Sequence, residues 1–213
     1  MSSPLDTSQM PYKEPKYYDQ YNVSIAKDIG VSEFQSSITN CHACLLSKYE
    51  KPLTFTNVHA PLMIVGETPE DVTTYYENGK MLYQILNKIG LSVDNVYMTA
   101  AVKCLHSTNF SFCHRHLIAE MIMIQPLVII ALGYNAGFLF FENQQQIQPG
   151  MTTHLPNGSD FIITFSLNDI KNNQALSNAF YHHLSLAKSQ LELRLQQRGE
   201  LNNEKRIHSF TGS

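Results

Sequence analysis

Pro61-Leu-Met-Ile-Val-Gly-Glu-Thr-Pro69 sets the architecture of this chain. Its apolar run, Leu62 to Val65, is short and is closed by Gly66, so it reads as a strand covered on both faces. Two further runs repeat the pattern: Val96-Tyr-Met-Thr-Ala-Ala-Val102, and Leu127-Val-Ile-Ile-Ala-Leu132 closed by Gly133. Strands without polar alternation need cover on each side, and the intervening segments supply it. Met81, Leu82, Ile85, Leu86 and Ile89 recur at helical spacing before Gly90. A second helix runs over 117–124 and stops ahead of Pro126, a short one covers 135–141, and a long one spans 175–198. Segments 151–154 and 161–165 flank Pro156-Asn157-Gly158 as a hairpin. Strands alternating with helices over short connections predict an α/β fold of three layers, a central, mainly parallel sheet flanked by helices.

The chain has 213 residues, enough for one domain with a full core. The ordered pattern fills 23–198. Residues 1–22, with Pro4, Pro11, Pro15 and several tyrosines, read as a flexible N-terminal arm, and 199–213 as a frayed tail. A net charge of −3 argues against a large, unselective nucleic-acid surface, which works by counterion release from clustered Lys and Arg. No apolar run approaches the length of a membrane span, and the polar N-terminus has no signal-peptide order, so a cytoplasmic location is expected.

Four cysteines in a reducing compartment call for something other than disulfides. Cys41 and Cys44 form a C-x-x-C; Cys104 follows the second strand and Cys113 opens the next helix. Two pairs brought together by the fold can ligate an iron–sulfur cluster or a structural zinc. His42, His106, His114 and His116 lie near enough in sequence to replace a thiolate in a zinc site, although solvated surface histidines are the plainer reading. Cys104 and Cys113 can equally be small buried residues.

The segments Leu62-Met-Ile-Val-Gly-Glu-Thr-Pro69, Val96 to Cys104, and Cys113 through Pro126 to Gly133 resemble the family 4 uracil-DNA glycosylases. The resemblance covers roughly residues 38–188, and in order it gives Cys41, Cys44, Cys104 and Cys113 as ligands of a 4Fe-4S cluster. It implies the glycosylase fold and zinc only as an alternative. A glycosylase flips a base out of the stack, holds it, and stabilises charge as the glycosidic bond breaks. Of the elements the family uses, the acidic residue after the first strand is present as Glu67. The Pro-Phe loop that stacks on uracil is missing, with Tyr75 or Tyr76 as possible replacements. The base-reading Asn after Thr99 is Ala100, and the His-Pro after the last strand is Ser166-Leu167. These three departures imply an extinct catalytic site, with Glu67 its catalytic residue if activity survives.

A non-enzymatic use follows from a second resemblance. Ile25 to Phe34 is similar to the arm of the psi subunit of the bacterial DNA polymerase III clamp loader, itself a stripped-down glycosylase domain. That resemblance implies partner-binding by Ile29, Val31 and Phe34. The partners would be the clamp-loader ATPase subunit and a chi-like subunit, with any DNA contact indirect. The alternatives are a divergent glycosylase acting in base excision repair and, for Ile29, Val31 and Phe34, simple core packing beside the cysteines. A single-stranded DNA sensor using Tyr75, Tyr76 and Lys80 is disfavoured by the acidic net charge.

Overall fold

Every residue of β1 (Leu62–Gly66), β2 (Val96–Ala100), β3 (Val128–Leu132) and β5 (Asp160–Thr164) is buried, as their unbroken apolar runs require. The computed structural model describes residues 30–52, 57–105, 113–141 and 147–199. With β4 (Thr152–His154) the strands form one sheet in the order β2-β1-β3-β5-β4. Leu62 of β1 pairs with Val96 on one side and Val128 on the other, both in parallel, and β3 pairs in parallel with β5. β4 runs antiparallel to β5 and forms the expected hairpin.

Alternation along the strands divides the core into two layers. Leu62, Ile64, Val96, Met98 and Ile130 face α3 (Glu77–Lys88) and α7 (Ser177–Gln197) through Leu82, Leu86, Phe180 and Leu184. Met63, Val65, Tyr97, Ile129 and Phe161 face the other way, against Leu117 and Met121 of α4 (His114–Ile124). Helices on both faces of a mainly parallel sheet are the three-layer α/β architecture read from the sequence.

The differences lie in short elements. α2 (Pro69–Val72) and α6 (Leu167–Asn172) have no period long enough to read. Their starts are nonetheless written as Thr68…Asp71 and Ser166…Asp169, the reciprocal capping arrangement of side chain and backbone. α4 begins at His114, three residues ahead of its apolar stretch. The helix expected over 135–141 is one turn, α5 (Tyr134–Gly137), continued as a 3₁₀ turn over Phe138–Phe140. α1 (Val31–Thr39) starts after Gly30 and turns Phe34 and Ile38 inward. Among the described residues no helix is long and apolar enough to cross a membrane. The arm expected at 1–22, Ile29, and the tail after Gly199 lie outside the described residues.

Candidate functional site

β1, β3 and β5 lie side by side, so the residues that follow them, Glu67, Gly133 and Ser166, meet at the carboxyl edge of the sheet. Gly133 has φ +98°, a conformation glycine adopts without strain. A Cβ there would overlap Glu67 Oε1 and press on Ser166 Cβ, so the glycine opens the space that the Glu67 carboxylate fills. The Asn135 N–H, from the first turn of α5, donates to Glu67 Oε1 at 3.1 Å. Burial pushes the Glu67 carboxyl above its ordinary range. The Asn135 N–H opposes the shift, and the nearby Asp71 and Asp169 add to it.

Asp71 fixes the backbone beneath that carboxylate. Its Oδ2 accepts from the N–H groups of Glu67 and Thr68, each at 3.0 Å. Gly66 allows this fold-back, because a Cβ there would lie 2.7 Å from Asp71 Cβ. The other oxygen, Oδ1, accepts from Asn78 Nδ2 at 2.9 Å. Burial is the main cause raising the Asp71 pKa, and these three donors oppose it. Asn78 Nδ2 also reaches Asn168 Oδ1 at 3.1 Å, and Lys171 Nζ donates to Asn78 Oδ1 at 3.2 Å. Sequence reasoning missed Asp71, Asn78 and Asn168. The capping arrangement Thr68-Pro-Glu-Asp71 was the available signal for the first of them.

The structure places the departures from the glycosylase pattern around this edge. Ala100 ends β2 opposite Gly66 and is buried in the apolar layer. Ser166 Oγ accepts from the Asp169 N–H at 3.0 Å and so caps α6. Tyr75 is 80% exposed and meets Tyr76 edge-on, with ring centroids 5.2 Å apart.

The other face of β2 carries a polar network that the sequence did not announce. Glu120 of α4 is 2% exposed, and its Oε1 accepts from Tyr97 Oη at 2.9 Å and Thr99 Oγ1 at 2.8 Å. Lys103 Nζ, equally buried, donates to Glu120 Oε2 at 2.5 Å, to Thr99 Oγ1 at 2.6 Å and to the Ala100 carbonyl at 2.8 Å. Burial, and then the Glu120 charge, holds the Tyr97 hydroxyl far above its ordinary range. The clue in the sequence was a lone acid in an otherwise apolar helix face.

Lys103 also leads into the cysteine corner. Its N–H donates to Cys113 Sγ at 3.5 Å, while Arg115 Nη2 and His116 Nε2 lie 3.5 and 3.4 Å from Cys41 Sγ. All four cysteines are free, with Cys104 and Cys113 buried and Cys41 and Cys44 half-buried. Burial pushes the Cys104 thiol up, and Cys113, Cys44 and Cys41 add to that shift. Burial also raises the Cys113 thiol; the Lys103 N–H and charge oppose this, and Cys44 and Cys41 reinforce it. The fold therefore brings the four predicted thiols into one neighbourhood. No group of three or more His, Cys, Asp or Glu side chains among the described residues is arranged to hold a metal ion. His116 is buried rather than solvated, and burial, then Lys103 and Arg115, lower its pKa to about 4. Phe34 is 3% exposed and meets His116 edge-on at 6.4 Å.

Residues 53–199 match the uracil DNA glycosylase superfamily. A curated relative, the type-4 uracil-DNA glycosylase of Archaeoglobus fulgidus, is 31% identical over 119 residues, which cover 48% of this chain and 60% of the relative. The chain thus spans less than two thirds of that relative's length. These matches overturn the expectation of a psi-like clamp-loader subunit, with its ATPase and chi-like partners: the family match runs through the sheet and its site, and neither match points to a polymerase subunit. The psi-like stretch Ile25 to Phe34 is short and tolerant of substitution, and the ring of Phe34 packs inward. From its sheet order, its carboxyl-edge acid and its match over 53–199, the chain belongs to the uracil DNA glycosylase superfamily.

Proposed function

We propose that this chain is a divergent uracil-DNA glycosylase of base excision repair, with Glu67 as the group that activates water. The observation that carries the reading is the setting of Glu67: a carboxylate at the carboxyl edge of a parallel sheet, aimed by the Asn135 N–H and given room by Gly133. Open α/β sheets bind their ligands at this edge. A flipped nucleotide there would present its C1′ to a water molecule. The water oxygen bonds to C1′, the glycosidic bond breaks, and the departing base takes the electron pair. The Glu67 carboxylate receives the proton of the water. A carboxyl whose pKa is raised is a stronger base when ionised.

Ala100 and Ser166 supply neither the amide nor the imidazole of the family pattern. Each missing donor of this kind lowers a rate by about 100- to 1000-fold. With Glu67 so placed, these departures argue for a slow enzyme rather than an extinct one. Tyr75, exposed on the loop ahead of α3, offers a ring for stacking on the base.

The same reading gives Cys41, Cys44, Cys104 and Cys113 a 4Fe-4S cluster. Burial and the neighbouring cysteines disfavour the thiolate forms of Cys104 and Cys113, a cost that a cationic centre relieves. Held by these four residues, a cluster would fasten the 41–44 segment to the sheet, and a reducing setting would keep the thiols available for it.

The test is anaerobic purification, assay of iron and sulfide, and incubation with a single-stranded oligonucleotide carrying one deoxyuridine. Slow uracil release, with iron and sulfide near four per chain, is expected. No release by iron-loaded protein would overturn the catalytic reading, and stoichiometric zinc without iron would overturn the cluster.

A further inference from the structure

The segment between Cys44 and β1 displays side chains for which the core has no use. We infer that Lys48 and Tyr49 hold the single-stranded DNA that runs on from the nucleotide at Glu67, the lysine on a phosphate and the ring on an unpaired base. The inference rests on the glycosylase reading above for the nucleotide at Glu67.

The placement follows from backbone hydrogen bonds. Beyond β2, the Val102 N–H donates to the Glu67 carbonyl at 3.2 Å, and three residues later the Leu105 N–H donates to the Glu50 carbonyl at 2.9 Å. One short stretch of chain thus touches the candidate site at one end and the cysteine segment at the other. Tyr76 marks the same proximity. Burial, and then the charges of Glu70 in α2 and of Glu50, raise its hydroxyl pKa. Tyr75, the ring offered to the base, meets Tyr76 edge-on. The Lys48–Tyr49 pair therefore continues the edge that carries Glu67 and Tyr75.

The segment is also held in shape. Leu45–Lys48 is a 3₁₀ turn, with the Ser47 N–H on the Cys44 carbonyl at 3.1 Å and Lys51 Nζ on the Ser47 carbonyl at 2.6 Å. Its display suits a partner: Leu45 is 93% exposed and Tyr49 37%. Lys48 Nζ lies over the Tyr49 ring, 5.3 Å from its centroid, which sets a cation beside an aromatic ring. That pairing matches a DNA strand, whose phosphates and bases alternate. The other cations of this corner are set against the cysteines. Arg115 Nη2 lies 3.5 Å from Cys41 Sγ, and the Lys51 charge opposes the rise that burial imposes on the Cys104 thiol. Negative charge on the sulfurs is countered there, and the exposed Lys48 remains for the strand. Stacking needs a base face that a duplex keeps covered, so the contact favours single strands.

The experiment is an anisotropy titration of the full-length, iron-loaded chain with an oligonucleotide carrying one deoxyuridine, single-stranded and in duplex, at a series of salt concentrations. Wild type is expected to bind the single strand more tightly. Tyr49→Ala should lose about fivefold on the single strand, the low end of the value of one stacked base, and less on the duplex. Lys48→Ala should lower the slope of log affinity against log salt by about 0.7, and Lys48→Arg should restore it. Glu50→Gln, which removes an exposed acid beside the pair, should bind more tightly. Unaltered affinity and salt dependence in Tyr49→Ala and Lys48→Ala, at wild-type iron content and melting temperature, would overturn this inference alone. Should either variant lose iron or unfold, Glu50→Gln decides: tighter binding supports the contact, and unchanged or weaker binding overturns it. A wild type that binds through these residues and releases no uracil would overturn the glycosylase reading and leave the strand contact standing.

Discussion

Glu120 and Glu67 are both carboxylates drawn away from water beside the end of a parallel strand, and the molecule treats them oppositely. Glu120 receives two hydroxyls and the Lys103 ammonium, so its charge is neutralised and its oxygens are satisfied. Glu67 receives only the neutral N–H and side chain of Asn135, and the charges that act on it, Asp71 and Asp169, have its own sign. A compensated carboxylate fixes structure, here the exit of β2 toward Cys104. An under-compensated one keeps a raised pKa and is available for proton transfer. The contrast assigns stability to one face of the sheet and chemistry to its edge.

The strongest attempt to break this contrast is Lys103→Met. It leaves Glu120 buried without its cation and should cost about 3–5 kcal/mol in chemical denaturation. The double substitution Lys103→Met with Glu120→Leu should recover most of that loss. A single variant that loses under about 1 kcal/mol would show that the pair does not hold this face.

Glu67→Gln should act in the opposite way. Base release should fall by about 100- to 10,000-fold, while the melting temperature holds or rises because a disfavoured charge is removed. A large drop in melting temperature would make Glu67 a structural residue like Glu120.

The pH dependence sharpens the same point. The Glu67 pKa is raised in the folded state, so the protonated form contributes stability at low pH that is lost as pH rises through the folded value. In the proposed mechanism the base exists above that value, so the rate should rise with pH across a transition displaced upward from the ordinary glutamate range. Glu67→Gln should abolish that limb of both profiles. The smallest expected effect is Tyr97→Phe, which removes one of the donors to Glu120 and should cost about 1.5–3 kcal/mol by denaturation, without altering base release.

What the sequence made legible follows from the range of each signal. The buried strands could be read because burial on both faces leaves an uninterrupted apolar run, as in Leu62 to Val65. The position of Glu67 at the end of β1 could be read from its motif, whereas its role and that of the four cysteines await the tests given above. α2 and α6 escaped because one or two turns carry no period, although Asp71 and Asp169 mark their starts. Lys103 and Glu120 escaped because seventeen positions separate them, and only the packing of α4 on β2 makes them partners. Their contact is tertiary, and no local pattern encodes it. Phe34 illustrates the opposite hazard: a short motif suggested a docking residue, and the fold turns its ring inward against His116.

The most direct test of the central claim is single-turnover uracil release from a single-stranded deoxyuridine oligonucleotide, followed across pH for wild type and Glu67→Gln. The account predicts slow release by wild type that rises with pH through a transition above the ordinary glutamate range, and loss of both rate and transition in the variant. Release that is equal in the two proteins, or absent from iron-loaded wild type, would contradict it.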